Sequence, residues 1–104
     1  MKHNKLVRDK IPAIIEANGE KAVTRILDDA DYLSELEKKL QEECAEVLAE
    51  RGDHRIEELA DVLEVVKALA EAQGSDMAAI EQARKTKAEK RGGFAQKIFL
   101  IETK

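Results

Sequence analysis

Two long stretches of the chain place apolar residues three and four positions apart, which is the period of an amphipathic α-helix. The pattern predicts one helix over residues 31–50 and a second over residues 53–73. Gly52 and Gly74 follow the two stretches, and glycine just past the last helical residue favours helix termination. The short connection predicts that the two helices fold back on each other as an antiparallel hairpin. The two apolar stripes consist of Leu33, Leu36, Leu40, Val47, Ile56, Leu59, Leu63, Val66 and Ala70.

Shorter patterns flank these helices. Proline at position 12 favours a helix over residues 12–17, and a third amphipathic pattern predicts a helix over residues 77–90. Residues 21–27 and 94–101 are rich in β-branched and apolar side chains, so both are predicted to be strands. The expected fold is a mainly α, antiparallel helical bundle, with a small two-stranded sheet made from the N- and C-terminal segments. The 104 residues suit a single domain.

Charge is distributed unevenly along the chain. The formal net charge is −4, which argues against general nucleic-acid binding. Residues 28–64 contain 14 acidic and 4 basic residues, whereas residues 84–104 contain 7 basic and 2 acidic residues. An acidic centre with a basic end suits a ligand that carries both a metal ion and phosphate. The same distribution would also suit charge pairing within the chain.

Two acidic clusters lie on the predicted hairpin. The first acidic cluster is Glu42, Glu43 and Glu46, and the second is Glu57, Glu58 and Asp61. Residues three apart on a helix are neighbours on its surface, so each cluster offers a pair of adjacent carboxylates. Glu43 occupies a position where the apolar stripe of its helix calls for another leucine. A carboxylate inside an apolar stripe needs a partner.

A divalent cation is the partner that we expect for these carboxylates. Four acidic side chains converge if the two helices pack, and burying them unpaired is costly. A hard cation such as Mg²⁺ takes oxygen ligands and removes that repulsion. The alternative is a solvated acidic face, since most glutamates on surface helices are hydrated. Cys44 is the single cysteine, so no disulfide forms within the chain; near the apolar stripe, it is expected to be a small core residue.

The basic end of the chain offers groups that bind phosphate. Lys87 and Arg91 are four residues apart and therefore lie on one face of the third helix. Arginine binds phosphate oxygens in a bidentate manner, and lysine acts as a point charge. The alternative is that both complement the helix macrodipole at a C-terminus. Lys5 and Arg8 are further candidates for phosphate binding.

Three segments together resemble a known family. The acidic clusters resemble the EExxE…ExxD signature of the all-α nucleoside triphosphate pyrophosphohydrolases, the MazG and phosphoribosyl-ATP pyrophosphatase-like group. Residues 5–12, KLVRDKIP, and residues 87–94, KAEKRGGF, resemble the start and end of one subfamily of small single-domain members. Together they frame nearly the whole chain. One departure is the short spacing of 11 residues between Glu46 and Glu58, which requires a tight turn at residues 51–53.

The resemblance implies a function and a set of roles. It implies Mg²⁺-dependent hydrolysis, possible also with Mn²⁺, of a nucleoside triphosphate to the monophosphate and pyrophosphate, a house-cleaning activity. Glu42 is then a candidate for activating water. The expected metal ligands are Glu43, Glu46, Glu58 and Asp61. The expected phosphate-binding residues are Lys87, Arg91, Lys5 and Arg8.

Other functions and partners are considered from the same residues. One alternative is a non-catalytic helical interaction or regulatory domain, which would use the acidic helices as a surface for a partner. Another alternative, intermediate between that domain and the enzyme, is a module that binds metal without catalysing a reaction. The apolar faces are broad enough to predict a homodimer or higher homo-oligomer, and a dimer could form a four-helix bundle across the interface. No apolar run approaches the about 18 residues of a membrane span, and the chain is expected to be cytoplasmic. The preferred base and sugar do not follow from the sequence.

Overall fold

Four α-helices and no strand make up the fold. The computed structural model describes all residues, Met1–Lys104. The helices are α1 (Ile11–Ala17), α2 (Asp29–Ala49), α3 (Asp53–Ala72) and α4 (Met77–Arg91). The predicted helices are confirmed, each with ends within two residues of the expected positions. None of the four has both the length and the apolar character needed to span a bilayer.

Helices α2 and α3 form the centre of the molecule as an antiparallel hairpin. They make the most extensive contact between helices, α4 packs more lightly on α3, and α1 contacts no other helix. The molecule is elongated, with extents of 61 × 33 × 23 Å. The hairpin therefore positions any site that draws on both acidic clusters.

Local interactions set the two ends of α2. The Asp28 side chain accepts a hydrogen bond of 2.8 Å from the backbone N–H of Asp31, which caps the N-terminus of the helix. At the other end, Arg55 Nε donates to the carbonyl oxygens of Val47 at 3.1 Å and Glu50 at 2.9 Å. Val47 lies in the last turn of α2 and Glu50 follows its last residue, and at this end the helix itself offers no donor. The Arg55 side chain thus connects the start of α3 to the end of α2 by hydrogen bonds.

The turn between α2 and α3 requires a glycine. Gly52 has φ +65° and ψ −139°, a backbone conformation that residues with a Cβ rarely adopt. The three residues Glu50, Arg51 and Gly52 are enough to reverse the chain. The tight turn expected from the spacing of the acidic clusters is confirmed.

The predicted two-stranded sheet is wrong. No backbone hydrogen bond joins residues 21–27 to residues 94–101, and neither segment is a strand. The second segment starts with a turn instead, in which the Lys97 N–H donates to the Phe94 carbonyl at 3.0 Å. A strand needs a neighbour for its backbone groups, and neither segment provides one for the other. Most of their apolar side chains are exposed, with Phe99 at 87%.

The buried core is small. Only Leu36, Val65 and Ala70 are buried, with Leu36 just 3% exposed. The apolar stripe expected to be the core face of α3 is in part wrong, because Ile56 and Leu63 are 68% and 55% exposed. The α2–α3 contact instead uses the neighbouring face of α3, which carries Val65. Cys44 is likewise exposed and is not the core residue that its position suggests.

Candidate metal centre

Three carboxylates from both helices of the hairpin meet at one place. Glu43 of α2 lies beside Glu58 and Asp61 of α3, and one oxygen atom from each lies within 4.8 Å of the other two. All three residues are partly buried. Antiparallel packing produces this convergence, because Glu43 comes six residues before the end of α2 and Glu58 comes five residues after the start of α3. The carboxylates of these three residues are called the carboxylate trio below.

Glu46, the fourth expected ligand, is not part of the trio. It lies one turn after Glu43 on α2, and its side chain is exposed. It is nevertheless near enough for its negative charge to contribute to raising the pKa of Glu58. The structure thus brings together three of the four predicted ligands and places the fourth at their edge.

Glu58 is the member of the trio whose pKa is raised. Desolvation raises the pKa of its carboxyl group above the usual 4.5, and the negative charges of Asp61, Glu46, Glu43 and Glu50 raise it further. Desolvation and nearby like charges both disfavour the ionised form of an acid. No lysine or arginine makes an ion pair with Glu58. The group at the centre of the cluster therefore lacks a neutralising partner.

Two cations lie at the edge of the trio. Arg8 Nη2 lies 2.7 Å from Asp61 Oδ1, so the N-terminal segment reaches the site. Lys39 Nζ lies 3.6 Å from Glu43 Oε1 and 3.6 Å from Glu42 Oε2. The sequence predicted Arg8 as a phosphate-binding residue but did not identify Lys39 as part of the site. The signal for Lys39 was present, because it is three and four residues before Glu42 and Glu43 on one helix face.

The remaining predicted site residues lie outside the trio. Glu42 is exposed and pairs with Lys39. Lys5 is exposed and makes no ion pair or side-chain hydrogen bond, and Lys87 and Arg91 lie exposed on α4, which does not contact α2. Arg91 borders a cleft of about 190 Å³ together with the two glycines that follow it. Within one chain, the cations of α4 make no ion pair with the trio.

The chemistry of the donors fits a hard divalent cation. All three groups are carboxylates, with no histidine or cysteine that would favour zinc. Mg²⁺ binds oxygen at about 2.1 Å in octahedral geometry, so oxygens on opposite sides of the ion lie about 4.2 Å apart. One oxygen from each member of the trio lies within 4.8 Å of the other two, so a small side-chain movement would bring all three into contact with one ion. Mg²⁺ also retains several waters, so three protein ligands suffice.

Comparisons with known proteins add little to this geometry. The chain is similar to an uncharacterized protein of Mycolicibacterium smegmatis, with 45% identity over 58 residues. The match covers 48% of this chain and 59% of the relative. No family model matches the chain, and no solved structure matches it. Neither a family nor an activity follows from these similarities.

Proposed function

We propose that this chain is a Mg²⁺-dependent nucleoside triphosphate pyrophosphohydrolase of the MazG-like, all-α type, which releases pyrophosphate and a nucleoside monophosphate. The carboxylate trio is the observation that carries this proposal. Its members belong to the two acidic clusters that resemble the EExxE…ExxD signature, and one oxygen from each member lies within 4.8 Å of the other two. Acting on cellular nucleotides, such an enzyme would work in the cytoplasm.

The unpaired charge at Glu58 supports a metal-binding role for the trio. A purely structural acidic cluster would be expected to have each carboxylate paired or fully hydrated. Here Arg8 pairs with Asp61 and Lys39 pairs with Glu43, while Glu58 is partly buried with four acidic neighbours. Glu43, Glu58 and Asp61 would hold the ion. Mn²⁺, which accepts the same ligands, would substitute for Mg²⁺.

Each remaining acidic residue has a role in this proposal. Glu46 joins the ligands by a change of side-chain rotamer, because it is exposed and free to turn toward the ion. Glu42, held beside the site by its ion pair with Lys39, accepts the proton of the attacking water. When bound, the metal ion would supply charge neutralisation and acidify water next to the α-phosphate. The protein groups then orient substrate and water, and Glu42 takes up the proton.

Cations around the trio receive the phosphates. Arg8 already lies at the site through Asp61, and its guanidinium is exposed on the other side. Because arginine binds two phosphate oxygens at once, Arg8 is the group best placed to contact the substrate. Lys5 precedes it by three residues in the same segment. Lys87 and Arg91 would bind the distal phosphates near the cleft beside Gly92.

A non-catalytic interaction domain is the second candidate. The exposed apolar residues of α3 favour it, because large exposed apolar surfaces mark protein–protein contacts. Such a domain would not release pyrophosphate from any nucleotide. A metal-binding module without turnover would bind Mg²⁺ and also release none.

Pyrophosphate release separates these functions. Ribo- and deoxynucleoside triphosphates are incubated with the protein in Mg²⁺, in Mn²⁺ and in a chelator. We expect release with the metals and none with the chelator. Glu43→Gln should abolish release, and the matched control Glu57→Gln should retain it, because Glu57 is an exposed neighbour of the second cluster outside the trio. No release from the full panel by the folded protein would contradict the proposal.

A further inference from the structure

We infer that Arg8 and the metal ion compete for Asp61, so that the arginine leaves this carboxylate when the ion binds and becomes free to bind phosphate. The inference rests on the metal site of the proposed function and concerns how binding at that site is regulated. Three features support it: the position of Asp61, the exposure of its ion pair with Arg8, and the attachment of the segment that carries Arg8.

Asp61 belongs both to the ion pair and to the carboxylate trio. Its Oδ1 accepts a hydrogen bond of 2.7 Å from Arg8 Nη2, and one of its oxygens lies within 4.8 Å of oxygens of Glu43 and Glu58. A Mg²⁺ ion at about 2.1 Å from an Asp61 oxygen would lie within about 7 Å of Arg8 Nη2. This is shorter than the about 10 Å over which charges act at 0.1 M salt. The arginine and the ion would therefore repel each other while sharing one carboxylate.

The ion pair between Arg8 and Asp61 is exposed enough to exchange. The Arg8 side chain is 58% exposed and the Asp61 side chain is 41% exposed. Such a pair shifts an equilibrium by no more than about fivefold, because water hydrates both charges when they separate. A divalent ion carries twice the charge of the arginine and would also be held by Glu43 and Glu58. The ion would therefore displace the arginine.

The N-terminal segment that carries Arg8 has no other polar attachment to the hairpin. This segment, residues 1–20, includes α1, which contacts no other helix. Its backbone hydrogen bonds all stay within the segment, and Arg8–Asp61 is its only side-chain hydrogen bond or ion pair. Leu6 and Val7 are partly buried. The Arg8 side chain can therefore leave Asp61 while the rest of the segment stays in place.

Arg8 differs in this respect from Lys39, the other cation at the trio. Lys39 Nζ lies 3.6 Å from Glu43 Oε1 on the same helix, and the Lys39 side chain is only 19% exposed. The helix thus keeps Lys39 beside Glu43. Arg8 comes from a separate segment, and its guanidinium can turn from Asp61 to phosphate oxygens, which arginine also binds in a bidentate manner. The ion would then have to bind before Arg8 can bind phosphate.

Metal affinity tests the competition. Mn²⁺ alone is titrated into the full chain at low salt, and free Mn²⁺ is measured by electron paramagnetic resonance. Arg8→Gln should bind Mn²⁺ about three- to tenfold more tightly than the wild-type protein, because removing a competitor raises the apparent affinity. The difference should shrink at about 1 M salt, where the Debye length is only about 3 Å.

Lys10→Gln is the matched control for Arg8→Gln. It removes one positive charge from the same segment, but Lys10 is exposed and makes no ion pair. Its affinity for Mn²⁺ should stay within about twofold of the wild-type value, because solvent and salt screen a charge without a direct contact. Circular dichroism checks that each variant is folded, and none of these measurements depends on catalysis.

Heteronuclear NMR of the arginine side chains follows the exchange directly. The Arg8 Nε–H signal is assigned by its absence from Arg8→Gln. Asp61→Asn cannot form the ion pair, so its spectrum gives the position of the signal for the released side chain. Titration with Mg²⁺ should move the wild-type signal to that position and then saturate.

The possible outcomes separate this inference from the proposed function. Equal Mn²⁺ affinities of wild-type protein and Arg8→Gln, or equal effects of Arg8→Gln and Lys10→Gln, would overturn the competition while the metal site stands. An Arg8 signal that stays in place as Mg²⁺ saturates would show that the ion pair persists beside the ion, and it would overturn the inference equally. Absence of Mn²⁺ binding to every variant would contradict the metal site itself and the inference with it.

Discussion

The α2–α3 hairpin and the segments on either side of it differ in what their residues contact. In the hairpin, two helices pack closely, Arg55 fastens one to the other, and three carboxylates converge. In the flanks, α1 contacts no helix, and the apolar residues of segments 21–27 and 94–101 are largely exposed. The flanks touch the hairpin at the trio through one ion pair, Arg8–Asp61.

The difference reflects distance along the chain. The hairpin helices are joined by three residues, so loop closure costs little and the partner is always near. The two predicted strands are separated by more than 60 residues, and nothing local holds them together. Under the proposed function, the hairpin would bind the metal ion and the flanks would supply groups that bind the substrate. Each prediction below tests that division.

The largest expected effect is on kcat, and it should distinguish residues needed for catalysis from residues needed for substrate binding. Asp61→Asn removes a proposed metal ligand in the hairpin, and we expect kcat to fall by at least about 100-fold, since substitution of residues that only contact metal ligands already costs 10–100-fold. Lys87→Ala removes a charge in the flank, and we expect mainly a rise in KM of about tenfold or more. Steady-state kinetics in Mg²⁺ measures both. Equal effects of the two substitutions on kcat would contradict the division of roles.

The next effect concerns stability. Leu36→Ala removes the most buried side chain of the hairpin and should lower the free energy of unfolding by about 2–5 kcal/mol. Leu100→Ala is the matched change in the flank, where the side chain is 74% exposed, and it should change that free energy by less than about 0.5 kcal/mol. Urea unfolding at one protein concentration measures both. A large loss from Leu100→Ala would show that the C-terminal segment is packed in solution.

A smaller loss of stability is expected from a substitution in the turn between α2 and α3. Gly52→Ala forces a residue with a Cβ into the positive-φ conformation between α2 and α3, which costs about 1–3 kcal/mol. The space is open, so the cost comes from the backbone alone. Gly93→Ala is the control, because Gly93 has no positive φ and nothing lies within 4 Å of an added Cβ. Similar urea midpoints for the two variants would mean that the turn is not fixed as described.

The smallest effect should appear in the pH dependence of metal-free protein. Because the pKa of Glu58 is raised above 4.5 on folding, the folded chain binds this proton more tightly than the unfolded chain does. Lowering the pH through the raised pKa toward 4.5 therefore stabilises the fold through this group. Glu58→Gln should remove that contribution, and Glu57→Gln should retain it. Thermal unfolding in a chelator from pH 7 to 5 measures this contribution to stability. Identical pH profiles for Glu58→Gln and the wild-type protein would show that Glu58 makes no such contribution.

The sequence predicted the parts of the fold that depend on neighbours along the chain. Helix ends followed from glycine and proline, and the spacing of Glu43 and Glu58 predicted their meeting across the turn. The register of Glu43 in an apolar stripe correctly indicated partial burial. These features can be predicted from helix periodicity and the length of one short connection alone.

Other features could not be predicted because they depend on long-range contacts. The period of α3 identified Ile56, Leu59 and Leu63 as one face but could not say what covers it. The apolar character of residues 94–101 suggested a strand, but a strand needs a partner, and the sequence does not identify one. The pairing of Arg8 with Asp61 joins residues 53 positions apart and carries no periodic signal.

The short turn also constrains how homologous chains can vary in length. One residue inserted or deleted near the start of α3 would rotate the following side chains by about 100° and swing Glu58 away from Glu43. A change of length outside this interval leaves the register of Glu43 and Glu58 unaltered. Homologues that retain the carboxylate trio should therefore carry their insertions and deletions outside the interval from Glu46 to Glu58.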